Sequence, residues 1–266
     1  MKVYIGLDIG GTKMYGGLIT ERGDILRTKE VPSGVKRESN AQIIGRIKAL
    51  IATLANGTTF HGIGIGLAGH IDHVHNKIAY ASPNFLPNFK RLTLVPSLLK
   101  EFHVPVVLEN DAKVFTLGEA VFGRGKGYRS VVGVTIGTGI GGGIVQDGAI
   151  IHGKNNLAGE VGHMFTRDPK KNWEALARGH AFNVHGNLNK EAVMLSDGLH
   201  NILNIIDPDI IIIGGGVARE PGLVTKARTE AHKRLHYKVL SKTPIVKSSL
   251  LRTAPILGAM LTVRGK

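Results

Sequence analysis

Short apolar runs separated by glycine-bearing or charged turns open the chain. Residues 3–8, 14–20 and 25–31 read as three strands of an antiparallel meander. The period then changes: Ile43, Ile44, Ile47, Leu50, Ile51 and Leu54 recur every three to four positions, one buried helical stripe, and Asn56-Gly57 supplies its stop. Residues 61–68 alternate glycine with Ile or Leu and read as a buried strand, 94–102 as a short helix, and 104–108 as a strand.

The second half repeats this grammar. A helix is expected over 111–122, a strand over 130–136, a glycine turn, and strands over 143–146 and 149–152 around Asp147-Gly148. The repetition of strand, turn and strand suggests duplication. Helices are expected near 173–178 and over 190–206, then a strand over 209–213 whose isoleucines are apolar on both faces, as in a parallel sheet. Gly214-Gly215-Gly216 ends it, and 254–263 reads as a helix. With no low-complexity linker, two packed domains are expected, 1–109 and 110–251, with 252–266 folding back on the first.

Composition narrows the class. An apolar content of 42% in 266 residues supports buried cores, no run approaches the roughly 20 apolar residues of a membrane span, and the first strand begins without a basic leader. A soluble, cytoplasmic protein is the expectation. The chain has no cysteine, which excludes disulfides, thiol catalysis and thiolate-bound zinc. Its net charge of +14 is concentrated at Arg124-Gly125-Lys126-Gly127-Tyr128-Arg129, at Lys170-Lys171 and between residues 226 and 247. That favours anionic ligands, yet no recognition helix, aromatic RNA motif or zinc finger accompanies it. The 226–247 stretch reads as a solvated face, and no specific nucleic-acid partner is expected.

Chemistry enters at two glycine turns. Asp8-Ile9-Gly10-Gly11-Thr12-Lys13 closes one strand and Gly137-Thr138-Gly139-Ile140-Gly141-Gly142-Gly143 another. Glycines at a strand end let main-chain N–H groups reach a polyanion, and Thr12 or Thr138 adds a hydroxyl. Two such turns imply a nucleotide held between two halves, and hence phosphoryl transfer. The second turn matches G-x-G-x-x-G, but a hairpin pattern follows it where a dinucleotide fold needs a helix. No P-loop sequence is present. Glu109-Asn110-Asp111 ends an apolar strand and opens a helix, a place where open α/β sheets put ligands; capping of that helix by Asn110 or Asp111 explains the same residues.

In order and spacing these motifs resemble the ROK group of sugar kinases and sugar-responsive repressors, within the actin-like, hexokinase-like ATPase superfamily. The likeness runs over nearly the whole chain, through Asp8–Lys13, Gly64–Gly69, Glu109-Asn110-Asp111-Ala112, Gly137–Gly143, Gly159-Glu160-Val161-Gly162-His163 and Gly214–Gly216. It implies a two-domain α/β fold of the actin-like, ribonuclease H-like kind, mixed sheets flanked by helices with an interdomain cleft. The implied reaction is ATP-dependent phosphorylation of a hexose, glucose or a relative such as an N-acetylhexosamine or mannose, at its primary hydroxyl. Asp111 would be the general base, and Asp8 would face Mg²⁺ through water. Gly10, Gly11, Thr12, Lys13, Gly137, Thr138 and Gly139 would hold the phosphates, with Lys13 equally readable as solvated. Gly214, Gly215 and Gly216 would lie near the adenosine. Gly69, Asn84, Asn110, Glu160 and His163 would bind the sugar, Asn84 being as readily a turn residue. The family suggests a homodimer.

One segment departs from the pattern. ROK proteins usually follow the Gly-His pair with a Cys-x-Cys-Gly-x-x-Gly-Cys-x-Glu zinc segment; here residues 164–173 are shorter and carry no thiol, so zinc is not expected. Glu174 still looks like the closing acid of that motif, a sugar contact. His70, His73 and His75 form a His-x-x-His-x-His pattern that reads as mostly exposed, with a metal as the lesser alternative. Two other functions stay open: a sugar-responsive regulator without its own helix-turn-helix, and a kinase using inorganic polyphosphate.

Overall fold

The computed structural model describes residues 1–81, 92–179 and 187–265. The chain forms two compact units. The first comprises Met1–Gly118, His152–Leu157 and Thr253–Lys266, the second Glu119–Ile151 and Ala158–Arg252. The division therefore falls nine residues later than the 109/110 boundary read from the sequence, inside the helix that follows Asn110.

The first unit is built on a five-stranded sheet: β1 (Val3–Ile9), β2 (Lys13–Thr20), β3 (Ile25–Pro32), β4 (Ile63–Leu67) and β7 (Val106–Asn110), in the order β3-β2-β1-β4-β7. The first three form the antiparallel meander; β4 and β7 join parallel to β1. A hairpin, β5 (His70–Asp72) with β6 (Lys77–Tyr80), was not expected from the sequence. Helix α1 (Asn40–Ala55) begins at a Ser39–Gln42 capping box and ends with Asn56 in the left-handed conformation. Its stripe of Ile43, Ile47, Leu50, Ile51 and Leu54 is buried in one core with Ile5, Leu7 and Ile9 of β1.

Residues alternate faces along a strand, so Gly6 and Asp8 point away from that core. There the sheet meets α7 (Ala254–Val263) with almost no side chain between: a methyl group on Gly6 would overlap the Ile256 carbonyl, and one on Gly64 the Ala259 carbonyl. The same closeness joins α7 to α3 (Asp111–Phe122), since Gly258 abuts the Val114 carbonyl and Gly118 the Ala254 carbonyl. The short α2 (Leu94–Phe102) packs beside β7.

The second unit repeats the sheet order. Strands β8 (Ser130–Ile136), β9 (Ile140–Gln146), β10 (Ala149–Ile150), β11 (Ile210–Gly214) and β12 (Ile245–Lys247) run β10-β9-β8-β11-β12, three antiparallel and then two added parallel. A second core gathers Val132, Val134, Ile136, Ile211 and Ile213 with α4 (Trp173–Ala177), α5 (Leu188–Ile206) and α6 (Leu223–Lys233). Strand β9 starts three residues earlier than the pattern suggests, because Gly141, Gly142 and Gly143 pair with Thr135, Val134 and Gly133; the glycine turn shrinks to Gly137–Gly139. Of the basic 226–247 stretch, Lys226, Lys233, Lys238, Lys242 and Lys247 are exposed. Among the described residues no helix is long and apolar enough to cross a membrane.

Two glycines should respond oppositely to one added methyl. Gly64→Ala forces carbonyl and strand apart and should cost about 1–3 kcal/mol, as overpacking does, whereas Gly45→Ala, with nothing near its Cβ position in α1, should stabilise by about 0.5–1 kcal/mol. Urea midpoints of the two variants check this.

Candidate active site

In the first unit the parallel strands stop level with one another, Ile9 beside Leu67 and Leu67 beside Asn110. On the face covered by α3, the register sets Asp8 beside Gly66 and Gly66 beside Glu109. Gly66 leaves room for the start of α3, for a Cβ there would meet Val114 Cγ2 at 2.5 Å and lie 3.5 Å from Asp111 Cα. Asp8 and Asp111 are thereby brought together. Burial, and after it the charge of Asp111, push the Asp8 carboxyl up to about 7. Two carboxylates in one site resist both being ionised.

Asn110 is the cap of α3, its side-chain oxygen accepting from the N–H groups of Ala112 (3.0 Å) and Lys113 (3.1 Å). Its amide nitrogen donates to the Gly69 carbonyl at 3.1 Å. Gly69 has φ 145° and a Cβ there would stand 2.7 Å from the Tyr80 carbonyl, so the position demands glycine. Asp111 accepts from the Ala112 N–H through Oδ1 at 2.8 Å. Gly10, Gly11 and Thr12 make the turn from β1 to β2, closed by Gly10 N–H to the Lys13 carbonyl (3.0 Å). Lys13 points across the sheet, its ammonium 2.6 Å from Glu30 at an exposed site. Asn84 lies outside the described residues.

The second unit builds its own glycine-lined strand ends. Gly137-Thr138-Gly139 turns between β8 and β9, with Gly137 N–H donating to the Gly139 carbonyl (2.9 Å) and Thr138 exposed. Beyond β11, which runs parallel to β8, Gly215 has φ 85° and lies against the Ile136 carbonyl. Glu174 reaches this turn: Oε2 accepts from the Ile140 N–H at 2.8 Å, and a Cβ on Gly139 would overlap the same carboxylate. Nothing in the spacing of residues 137–174 signalled that contact.

Glu160 and His163 flank a single 3-10 turn, with Oε2 and Nε2 3.8 Å apart and the imidazole exposed. The thiol-free segment after them closes by other means. Phe165 bridges to Asn172, Trp173 N–H donates to the Met164 carbonyl at 2.7 Å, and the Trp173 ring is fully buried. Arg167 grips Asp197 of α5 with two bonds of 2.5 and 2.7 Å. Asn172, which caps α4, places its amide 3.4 Å from His163 Nδ1.

The histidine pattern resolves differently from a His-x-x-His-x-His cluster. His73 and His75 lie in the turn between β5 and β6, not on a strand. His75 pairs with Asp72 at 2.7 Å and His70 Nε2 lies 2.8 Å from the Asn155 carbonyl. His73 instead stacks on His152, a residue that no motif singled out, with ring centroids 3.9 Å apart.

Two copies of a five-stranded mixed sheet, each flanked by helices and ending in glycine turns, define an α/β fold of the actin-like ATPase class. The chain belongs to the ROK family, whose profile matches residues 4–185 and 175–266. It is 29% identical to the glucokinase of Thermotoga maritima, over 98% of this chain and 96% of that protein. Among solved structures, a ROK family glucokinase from Streptomyces griseus in complex with glucose and AMPPNP aligns with a TM-score of 0.85 at 26% identity, covering 99% of this chain and 100% of that one. An inorganic polyphosphate/ATP-glucomannokinase from Arthrobacter sp. strain KM aligns with a TM-score of 0.75 at 25% identity, over 99% and 98% of the two chains.

The raised carboxyl of Asp8 has a thermodynamic sign. Folded Asp8 keeps its proton up to about 7, whereas the unfolded chain releases it near 3.8. Between those values the folded state binds more protons, so stability falls as pH rises and levels off above 7. Asp8→Asn removes that fall. With divalent metals chelated, the variant should melt above the wild type at about pH 8, the gain shrinking toward pH 4; a pH-independent difference in melting temperature would contradict the shift.

Proposed function

We propose that this chain, an ATP-dependent sugar kinase of the ROK family, phosphorylates the primary hydroxyl of a hexose, with Asp111 as general base. The observation that carries the reading is the pair Asp8 and Asp111 at the carboxyl ends of three parallel strands, next to Asn110 and Gly69. The relatives named glucokinase support glucose or a near epimer as the acceptor.

Asp111 takes the proton of the sugar hydroxyl as that oxygen bonds to the terminal phosphorus of ATP and the bond from phosphorus to the bridging oxygen breaks, leaving ADP. Phosphoryl transfer has a loose transition state, so positioning and charge stabilisation supply most of the catalysis. In the first unit Asn110 and Gly69, and in the second Glu160 and His163, are the groups suited to sugar hydroxyls, while Glu174 holds the turn at Gly139 through Ile140. The N–H groups of Gly11 and Thr12, and those of Thr138 and Gly139, lie outside the bonds that close their turns and suit phosphate oxygens.

The donor set also fits a divalent cation, because a positive charge offsets the burial and then the Asp111 charge that raise Asp8. Asp8 would hold Mg²⁺ through water; the ion, when bound, neutralises phosphate charge. No zinc is assigned to the segment after His163.

A second donor is favoured by one observation. Arg219, Lys247, Leu251 and Arg252 line a concavity of about 550 Å³ in the second unit, beyond the Gly214–Gly216 turn. Three cations there suit a linear polyanion, and the Arthrobacter relative is named for both polyphosphate and ATP.

Asp111→Asn should lower kcat by about two to four orders of magnitude with a far smaller change in sugar KM, the usual worth of a positioned base. A coupled assay across hexoses, run with ATP and with polyphosphate, measures it on each donor. Near-normal turnover by the variant would remove Asp111 from the role, and strict ATP dependence of the wild type would exclude the second donor.

A further inference from the structure

His73, Glu109 and His152 come from three distant stretches of the first unit: the β5–β6 turn, the end of β7, and the segment between residues 152 and 157 that returns to this unit. Their ligand atoms all lie within 4.8 Å of one another. His152 Nε2 is 2.7 Å and His73 Nδ1 3.9 Å from the same oxygen, Glu109 Oε2. The other carboxylate oxygen accepts the Asn110 N–H at 2.8 Å, which fixes the orientation of the group. We propose that these three residues form a binding site for a transition-metal dication of the Zn²⁺ class, separate from the Asp8–Asp111 pair.

The chemistry and the spacing both point that way. Two imidazoles and one carboxylate are a zinc-type donor set, softer than the all-oxygen shells that Mg²⁺ and Ca²⁺ take. Bonds of about 2.0–2.1 Å at tetrahedral angles set ligand atoms about 3.4 Å apart, which lies between the 2.7 and 3.9 Å observed. The rings are stacked with an 18° tilt, so the exposed His73 ring turns out of the stack to aim its nitrogen at the shared point. Glu109 is buried and already ionised in this setting: burial pushes its carboxyl up, but the His152 and Asn110 N–H groups and the nearby charge of Lys113 bring it below the ordinary value. Lys113 faces the cluster from α3 and repels a dication, its ammonium being engaged by the Asn156 carbonyl at 2.7 Å. Water completes the coordination, and the bound ion ties the hairpin turn, the strand end and the returning segment together. Binding takes His152 Nε2 as a ligand in place of its contact with Glu109 Oε2, and metal uptake is therefore coupled to proton release.

The full chain, stripped with a chelator, is titrated with Zn²⁺ against a chromophoric competitor at neutral pH, and with Co²⁺ by visible absorption. One Zn²⁺ per chain and the d–d bands of a four- or five-coordinate Co²⁺ are expected. His73→Ala and His152→Ala should each weaken Zn²⁺ by more than the roughly 10–100-fold that losing an outer partner costs, and His75→Ala, in the same turn but paired with Asp72, should not. Zn²⁺ should also raise the melting temperature of the wild type and leave that of His73→Ala unmoved. Because His73 is exposed, its removal spares the core, and circular dichroism verifies the fold. Failure of the wild type to take up one equivalent, or retention of wild-type affinity by His73→Ala, overturns the site. None of these readouts requires kinase activity, so the two readings fail independently.

Discussion

The first unit depends on main chain packed directly against main chain. Where the C-terminal helix crosses β1 and β4, Gly6 and Gly64 take the place of side chains, and Gly118 and Gly258 bring α3 onto the same helix. A side chain at any of these points would lift the helix pair from the sheet. The closeness matters for chemistry because α3 begins at Asp111, and Gly66 lets that beginning settle between Asp8 and Glu109. The position of one carboxylate is thus set by the absence of methyl groups along two strands and two helices.

Close packing also explains why the acids along that row differ. Asp8, half-buried, is driven toward its neutral form by desolvation and then by another carboxylate; Glu109 is buried beside imidazoles and a lysine and stays charged. The two strands that flank β4 therefore carry the same functional group in opposite protonation tendencies. The difference comes from burial, from α3 and the returning 152–157 segment, which supply Asp111, Lys113 and His152, and from the Asn110 N–H at the end of β7.

Much of the architecture was legible because it is written in local periods. The stripe of α1, its Asn56-Gly57 stop, the isoleucines of β11 and the helix at 254–263 all follow from spacing that one element imposes on its own residues. The readings that shifted are those where a partner decides. Gly141 and Gly142 look like a loop in isolation and become strand because β8 pairs with them. His73 reads as a surface residue until β7 and the 152–157 segment bring Glu109 and His152 beside it. Asn110 could have capped a helix or faced a ligand; its oxygen caps while its nitrogen holds Gly69, a division visible only once β4 lies next to β7. Glu174 was readable as an acid with a role, but its bond to the Ile140 N–H belongs to tertiary structure alone.

The chain leaves and re-enters its two units after Gly118, Ile151, Leu157 and Arg252. The first half consequently cannot be excised as one continuous fragment: a clone ending at Gly118 would lack the helix that covers its own sheet and the hexapeptide that supplies His152. Anyone wishing to isolate the first half must rewire the backbone, joining the distant C-terminal helix to the amino end and restoring the short inner strap.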